Sequence, residues 1–152
     1  MAKGIGRGDR APRFELSAQD GKSVSLEQLL EKGPVVVFFY PKDETPGCTK
    51  EACSFRDSYD TFQEHGASVV GISSDSAASH RRFADKHGFP FLLLSDPEGA
   101  VRKQFGVPKT LGILDGRSTY VIDKGGVVQH VFHSQIMASK HVDEAIAALK
   151  SL

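Results

Sequence analysis

The sequence predicts an α/β sandwich. Three observations carry the prediction. Short runs of β-branched, leucine and aromatic residues alternate with stretches whose apolar residues recur at helical spacing. A hairpin pattern followed by one more amphipathic helix closes the chain. The 152 residues suit one domain, 1–152. A domain of that size buries about 70% of its unfolded surface and folds without cross-links.

The elements follow in order. Phe14-Glu15-Leu16 and Ser23-Val24-Ser25-Leu26 flank an Asp20-Gly21 turn and read as a short hairpin. Leu26, Leu29 and Leu30 suggest a brief helix that Gly33-Pro34 ends. Val35-Val36-Val37-Phe38-Phe39-Tyr40 is apolar throughout, as a buried strand is. Phe55, Tyr59 and Phe62 place a helix after it that runs to His65, with Gly66 as its stop. Ser68-Val69-Val70-Gly71-Ile72-Ser73 is a second strand, and a helix over 76–87 ends at Gly88. Phe91-Leu92-Leu93-Leu94 is a third strand, and Asp96-Pro97 opens a helix to Phe105. Residues 106–116 read as a loop shaped by Gly106, Gly112 and Gly116. Strands at 119–123 and 127–132 turn at Lys124-Gly125-Gly126. The last helix, 140–150, buries Val142, Ile146 and Leu149.

Composition excludes several classes of function. Nineteen basic and nineteen acidic residues balance to zero formal charge, which argues against nucleic acid or an anionic membrane as partner. Two cysteines are too few for a secreted disulfide scaffold. Met1 to Arg10 has no apolar segment of the signal-peptide kind. No apolar run approaches the roughly 20 residues that span a bilayer. A reducing, cytoplasmic setting is the simplest expectation; a plastid or other organelle after removal of a transit peptide is the alternative. No Gly-x-Gly-x-x-Gly or P-loop pattern implies a nucleotide, so no cofactor is expected.

Both cysteines lie in Pro41-Lys42-Asp43-Glu44-Thr45-Pro46-Gly47-Cys48-Thr49-Lys50-Glu51-Ala52-Cys53, where the central strand hands over to a helix. Open α/β sheets place their chemistry beyond the carboxyl ends of the strands. Thr45 is a good N-cap and Pro46 a good first helical residue, so Cys48 falls at the third helical position. A sulfur there faces free N–H groups and the positive end of the helix dipole, which favour thiolate. The plainer reading makes Cys48 a small buried hydrophobe. Cys53 follows five residues later, about 7.5 Å along the helix and about 140° around it. The Cα atoms then stand about 8–9 Å apart, beyond the ~7 Å reach of a disulfide. A static bridge is not expected while the helix is wound. Lys50 and Glu51 read as solvated helix positions.

The pattern Pro41-x-x-x-Thr45-x-x-Cys48 matches the active-site motif of the peroxiredoxins. With Cys53 five residues on, the chain resembles the Q-type subfamily, the bacterioferritin comigratory proteins. The resemblance extends through Asp9-Arg10-Ala11-Pro12-Arg13-Phe14 and Gly116-Arg117-Ser118-Thr119-Tyr120-Val121-Ile122-Asp123 and so covers nearly the whole chain. It implies a thioredoxin fold with an N-terminal hairpin extension, a peroxiredoxin-like three-layer sandwich. It also implies a thiol-dependent peroxidase that reduces hydrogen peroxide or small organic hydroperoxides.

In that reading Cys48 is the peroxidatic thiol and Cys53 the resolving one. They form an intramolecular disulfide that thioredoxin or a similar dithiol reduces. Thr45 places its hydroxyl by the sulfur, and Pro41 shields the sulfur from water. Arg117, which spacing alone does not locate, becomes the active-site cation. Each has a plainer role beside this: helix cap for Thr45, turn proline for Pro41, inert helix cysteine for Cys53, surface cation for Arg117. An internal disulfide needs no dimer, so a monomer is expected. Two rivals use the same cysteines: a general thiol–disulfide oxidoreductase, and a non-enzymatic redox sensor or holdase. Among the six histidines, His80 and His87 stand two helical turns apart and His130 and His133 point to opposite strand faces, so no metal site is expected.

Overall fold

A computed structural model describes residues 4–109, 116–134 and 137–152. Its order is β1 (Glu15–Ala18), β2 (Ser23–Ser25), α1 (Leu26–Leu30), β3 (Val35–Phe39), α2 (Pro46–Asp57), α3 (Tyr59–Glu64), β4 (Ser68–Ser73), α4 (Ala77–His87), β5 (Leu92–Ser95), α5 (Ala100–Phe105), β6 (Ser118–Ile122), β7 (Val128–His133) and α6 (Lys140–Lys150). The strands form one sheet in the order β2-β1-β5-β4-β3-β6-β7. Strands β3, β4 and β5 run parallel, while β6, β7 and the N-terminal hairpin pair antiparallel.

β3 is central and covered on both sides, which explains its unbroken apolar run. Val36, Phe38 and Tyr40 face a core shared with Phe55, Phe62, Phe83, Val142 and Leu149 of α2, α3, α4 and α6. Val35, Val37 and Phe39 face the other core, with Leu26, Leu29 and Phe105 of α1 and α5. Helices thus lie on both faces of the sheet, the three-layer arrangement expected. Phe38 stacks on Phe55 with centroids 4.4 Å apart, which ties α2 directly to the central strand.

Some boundaries differ from expectation. The helix expected over 46–65 breaks at Ser58, whose φ of −102° and ψ of 10° leave the helical region. No Pro or Gly marks that break; Ser58 itself is the signal, since a short polar side chain favours caps over helix interiors. α5 starts at Ala100, after Gly99, later than Asp96-Pro97 suggests. Asp96 still caps it from a distance, accepting from the N–H groups of Val101 and Arg102 at 3.2 and 3.0 Å. β6 and β7 are each displaced by one residue from the expected strands, with a register shift between Val121 and Ile122. Most of the loop expected at 106–116, Gly112 included, lies outside the described residues.

Candidate active site

The end of β3 is tied down before α2 begins. The Arg102 guanidinium donates to the carbonyls of Tyr40 at 2.6 Å and Gly116 at 2.8 Å. That bridges the end of β3 to the segment entering β6. In the turn that follows, Asp43 is buried, not solvated. Its carboxylate accepts from the Tyr40 hydroxyl at 2.6 Å and the Ser79 hydroxyl at 2.8 Å, and lies 2.7 Å from His80 Nδ1. Its N–H donates to Asp75 at 2.8 Å. Burial first, and the Asp43 carboxylate second, push the Tyr40 phenol well above its ordinary range, so it stays a donor. Among the described residues Asp43, Asp75 and His80 bring ligand-type atoms within 4.8 Å of one another. Each is already engaged by protein groups, Asp75 by Ser73 at 2.7 Å and His80 by the Leu94 carbonyl at 3.0 Å. The cluster works as a lock on the turn.

Glu44 completes the turn with φ of 62°, the left-handed region that side chains other than Gly enter at a cost of about 1 kcal/mol. Thr45 then stands at the N-cap of α2, but its hydroxyl donates back to the Lys42 carbonyl at 3.0 Å and makes no cap bond. The side-chain cap expected of Thr45 is absent; its backbone carbonyl accepts from Thr49 at 2.8 Å. Pro46 is the first helical residue and Cys48 the third, as the sequence predicts. Cys48 is 1% exposed and Cys53 half-buried, both free thiols on α2. Pro41 is half-buried at the head of the turn.

Arg117 is brought to this point from the strand side. It is 6% exposed and donates from Nη1 to Glu51 at 2.8 Å. Its Nη2 reaches the backbone of Gly47, the residue before Cys48. Its approach uses Gly47: a Cβ there would sit 3.0 Å from Arg117 Nη2. Burial works against the guanidinium charge, but Glu51, then Cys48, more than offset it and hold Arg117 above its ordinary range.

Glu51 corrects the sequence reading. It is 0% exposed and lies under the first turns of α2, not on a solvated face. Burial outweighs the neighbouring Arg117 and raises its carboxyl to about 8. His141 of α6 lies with Nδ1 3.4 Å from Glu51 Oε2 and 2.8 Å from the Thr119 hydroxyl. Its Nε2 is 2.8 Å from the Ser134 carbonyl. Burial first lowers His141 to about 4. Asp43, Arg102 and His141 were not singled out in the sequence, and Glu51 was read only as a solvated position. A signal existed for Glu51: three residues after Cys48 on a helix, it shares the face of the sulfur.

The geometry assembles a buried thiol at a helix N-terminus, a permanent cation beside it and a second thiol on the same helix. Such a set attacks a soft electrophile and stabilises the oxyanion that leaves. The AhpC/TSA family profile matches residues 7–131. Peroxiredoxin Q, chloroplastic, of Sedum lineare is 55% identical over 149 residues, 97% of this chain and 80% of that protein. The crystal structure of peroxidoxin BcpB from Mycobacterium tuberculosis superposes with a TM-score of 0.91 at 45% identity, covering 97% of this chain and 98% of that one. A Xanthomonas campestris bacterioferritin comigratory protein, solved in trapped intermediate and ligand complexes that bear on its alkyl peroxide reduction, gives a TM-score of 0.82 at 34% identity, covering 91% and 90%.

Proposed function

The chain belongs to the AhpC/TSA family, as a peroxiredoxin of the Q type, and from that premise we propose a cycle in which Cys48 attacks the peroxide and Cys53 resolves it. The activity is that of a thiol-dependent peroxidase. The Cys48 thiolate takes one oxygen from the peroxide, the O–O bond breaks, and the other oxygen leaves as hydroxide or alkoxide that picks up a proton. Cys48 is then a sulfenic acid. The Cys53 thiol attacks it, a disulfide forms, and water leaves. An external dithiol, thioredoxin in this proposal, returns both cysteines to thiols.

The observation that carries the proposal is the placement of Cys48, buried at the third position of α2, with the Arg117 guanidinium against the preceding Gly47. Arg117 favours thiolate and stabilises the leaving oxyanion. The Thr45 hydroxyl, aimed at the Lys42 carbonyl here, is close enough in sequence to turn toward a bound peroxide. Pro41, half-buried at the head of the turn, shields the sulfur from water in this proposal. All electron transfers run through one chain, so a monomer suffices. No helix among the described residues is long and apolar enough to cross a membrane. The chloroplastic name of the Sedum relative favours the plastid over the cytoplasm as compartment. Turnover of hydrogen peroxide coupled to thioredoxin, its reductase and NADPH tests the cycle. Steady NADPH consumption that Cys48→Ser abolishes is expected; full turnover by Cys48→Ser would remove Cys48 from it.

A further inference from the structure

Glu51 carries a buried acceptor with no partner. Its Oε1 accepts from Arg117, but among the described residues Oε2 has no hydrogen bond. His141 Nδ1 lies across from it at 3.4 Å. The tautomer of His141 is fixed from its far side. The Ser134 carbonyl only accepts, so Nε2, at 2.8 Å, carries a hydrogen. A neutral His141 then presents its one Nδ1 lone pair to the Thr119 hydroxyl at 2.8 Å and to Glu51 Oε2 at 3.4 Å. A carboxylate facing that lone pair, both groups 0% exposed, is repelled and unsatisfied. A proton on Oε2 supplies the missing donor: it reaches Nδ1, and the Thr119 hydroxyl then directs its own hydrogen elsewhere.

We propose that Glu51 and His141 hold one proton between them, and that its loss engages Arg117 with Glu51 at the expense of Cys48, so that this pair sets the alkaline limit of peroxide reduction. With the proton present the pair is neutral and the charge of Arg117 serves the sulfur. With it gone, a full carboxylate lies 2.8 Å from Nη1 and competes for the same cation. The elevation of the Glu51 carboxyl to about 8 and the depression of His141 to about 4 place that proton on Glu51 at neutral pH. The charged groups around the pair are Arg117 before β6, Arg102 on α5, Cys48 one turn earlier on α2, and His133 on β7 behind His141. None of them supplies a proton to Oε2 in the positions observed. Glu51 is a positioning residue here: it acts on the sulfur through Arg117.

The inference rests on the assignment of Cys48 as the attacking thiol, and its test keeps the two apart. Single-turnover oxidation of reduced protein by hydrogen peroxide is followed from pH 6 to 10 in the wild type and in Glu51→Gln. The glutamine amide keeps an acceptor for Arg117 and offers a permanent donor to His141. The wild-type rate is expected to fall about tenfold per pH unit above a limb near pH 8, while Glu51→Gln holds its plateau at least one unit further. Isotope-edited infrared spectra of wild-type protein add a readout that needs no variant. A protonated-carboxyl band present at pH 7 and lost with the same midpoint as the rate is expected. Normal wild-type oxidation with the same alkaline limb in Glu51→Gln, or no such band at pH 7, would overturn this proposal alone. A Cys48 that peroxide leaves unoxidised at every pH would overturn the cycle and this proposal with it.

Discussion

Oxidation to the Cys48–Cys53 disulfide should unwind the first half of α2 and leave the second half in place. In the wound helix the two Cα atoms are about 8–9 Å apart and their side chains about 140° out of line, whereas a disulfide needs them within ~7 Å and facing. Freeing the carbonyls of residues 45–49 breaks the bond from Thr49 to the Thr45 carbonyl, 2.8 Å long, and the four helical bonds that follow it. At about 0.5–1 kcal/mol net each, these amount to about 3–5 kcal/mol. Unwinding also exposes Cys48 and Ala52, now 1% and 0% exposed, and parts Glu51 from Arg117. Phe55 resists, because it is fully buried and stacked on Phe38. Hydrogen exchange of the reduced and oxidised protein reads this directly. Amides 49–53 should lose about two to three orders of magnitude of protection on oxidation, the equivalent of that free energy at 1.4 kcal/mol per decade. Amides beyond Phe55 should keep theirs. Equal protection of 49–53 in the two states would refute the reasoning.

Three further predictions use the same geometry. Gly47→Ala should leave the melting temperature unchanged or raise it, since Ala is the better helix former by up to about 1 kcal/mol. It should still slow peroxide attack several-fold, because the new Cβ stands 3.0 Å from Arg117 Nη2; stopped-flow oxidation at wild-type rate would show that the cation does not need that approach. Asp43→Ala leaves Tyr40 and His80 without their buried partner and should cost about 3 kcal/mol, some 6–12 °C in thermal denaturation; a shift under 2 °C would mean that the turn is held by other contacts. Stability should fall as pH rises from 6.5 to 8. Glu51 titrates near 8 in the folded protein against an ordinary 4.5, so the native state holds a proton that the unfolded chain has released, and that stabilisation is lost on passing 8. His141 acts oppositely, its contribution present above 6.5 and lost toward 4, so only Glu51 shapes the upper window. The loss is on the order of 2 kcal/mol by urea unfolding at the two pH values, and Glu51→Gln should abolish it; a wild type equally stable at both would place the proton elsewhere.

Local pattern made much of this architecture legible. β3 announces itself because both its faces are covered, and Ser76 and Gly88 bracket α4 as capping chemistry demands, Ser76 accepting from the Ser79 N–H and Gly88 adopting a φ of 64°. The motif around Cys48 was legible for the same reason: its parts are neighbours in sequence. What was not legible is what arrives from afar. Arg117 joins Glu51 across 66 positions, and Asp43 meets His80 across 37. A lone acid between two cysteines looks like any solvated helix residue until a cation and a histidine from other strands and helices close over it. The break at Ser58 and the late start of α5 belong with these, since tertiary packing moves helix ends more easily than it creates helices.

The central claim is that Cys48 is the sulfur that peroxide oxidises and that Cys53 alone resolves it. Mass spectrometry of Cys53→Ser after one equivalent of hydrogen peroxide tests it most directly, with the wild type alongside. The expected result is one added oxygen confined to the Cys48 peptide in the variant, and a Cys48–Cys53 cross-linked peptide with no added oxygen in the wild type. An unmodified Cys48 in the variant, or a wild type that accumulates the oxygen without forming the cross-link, would contradict it.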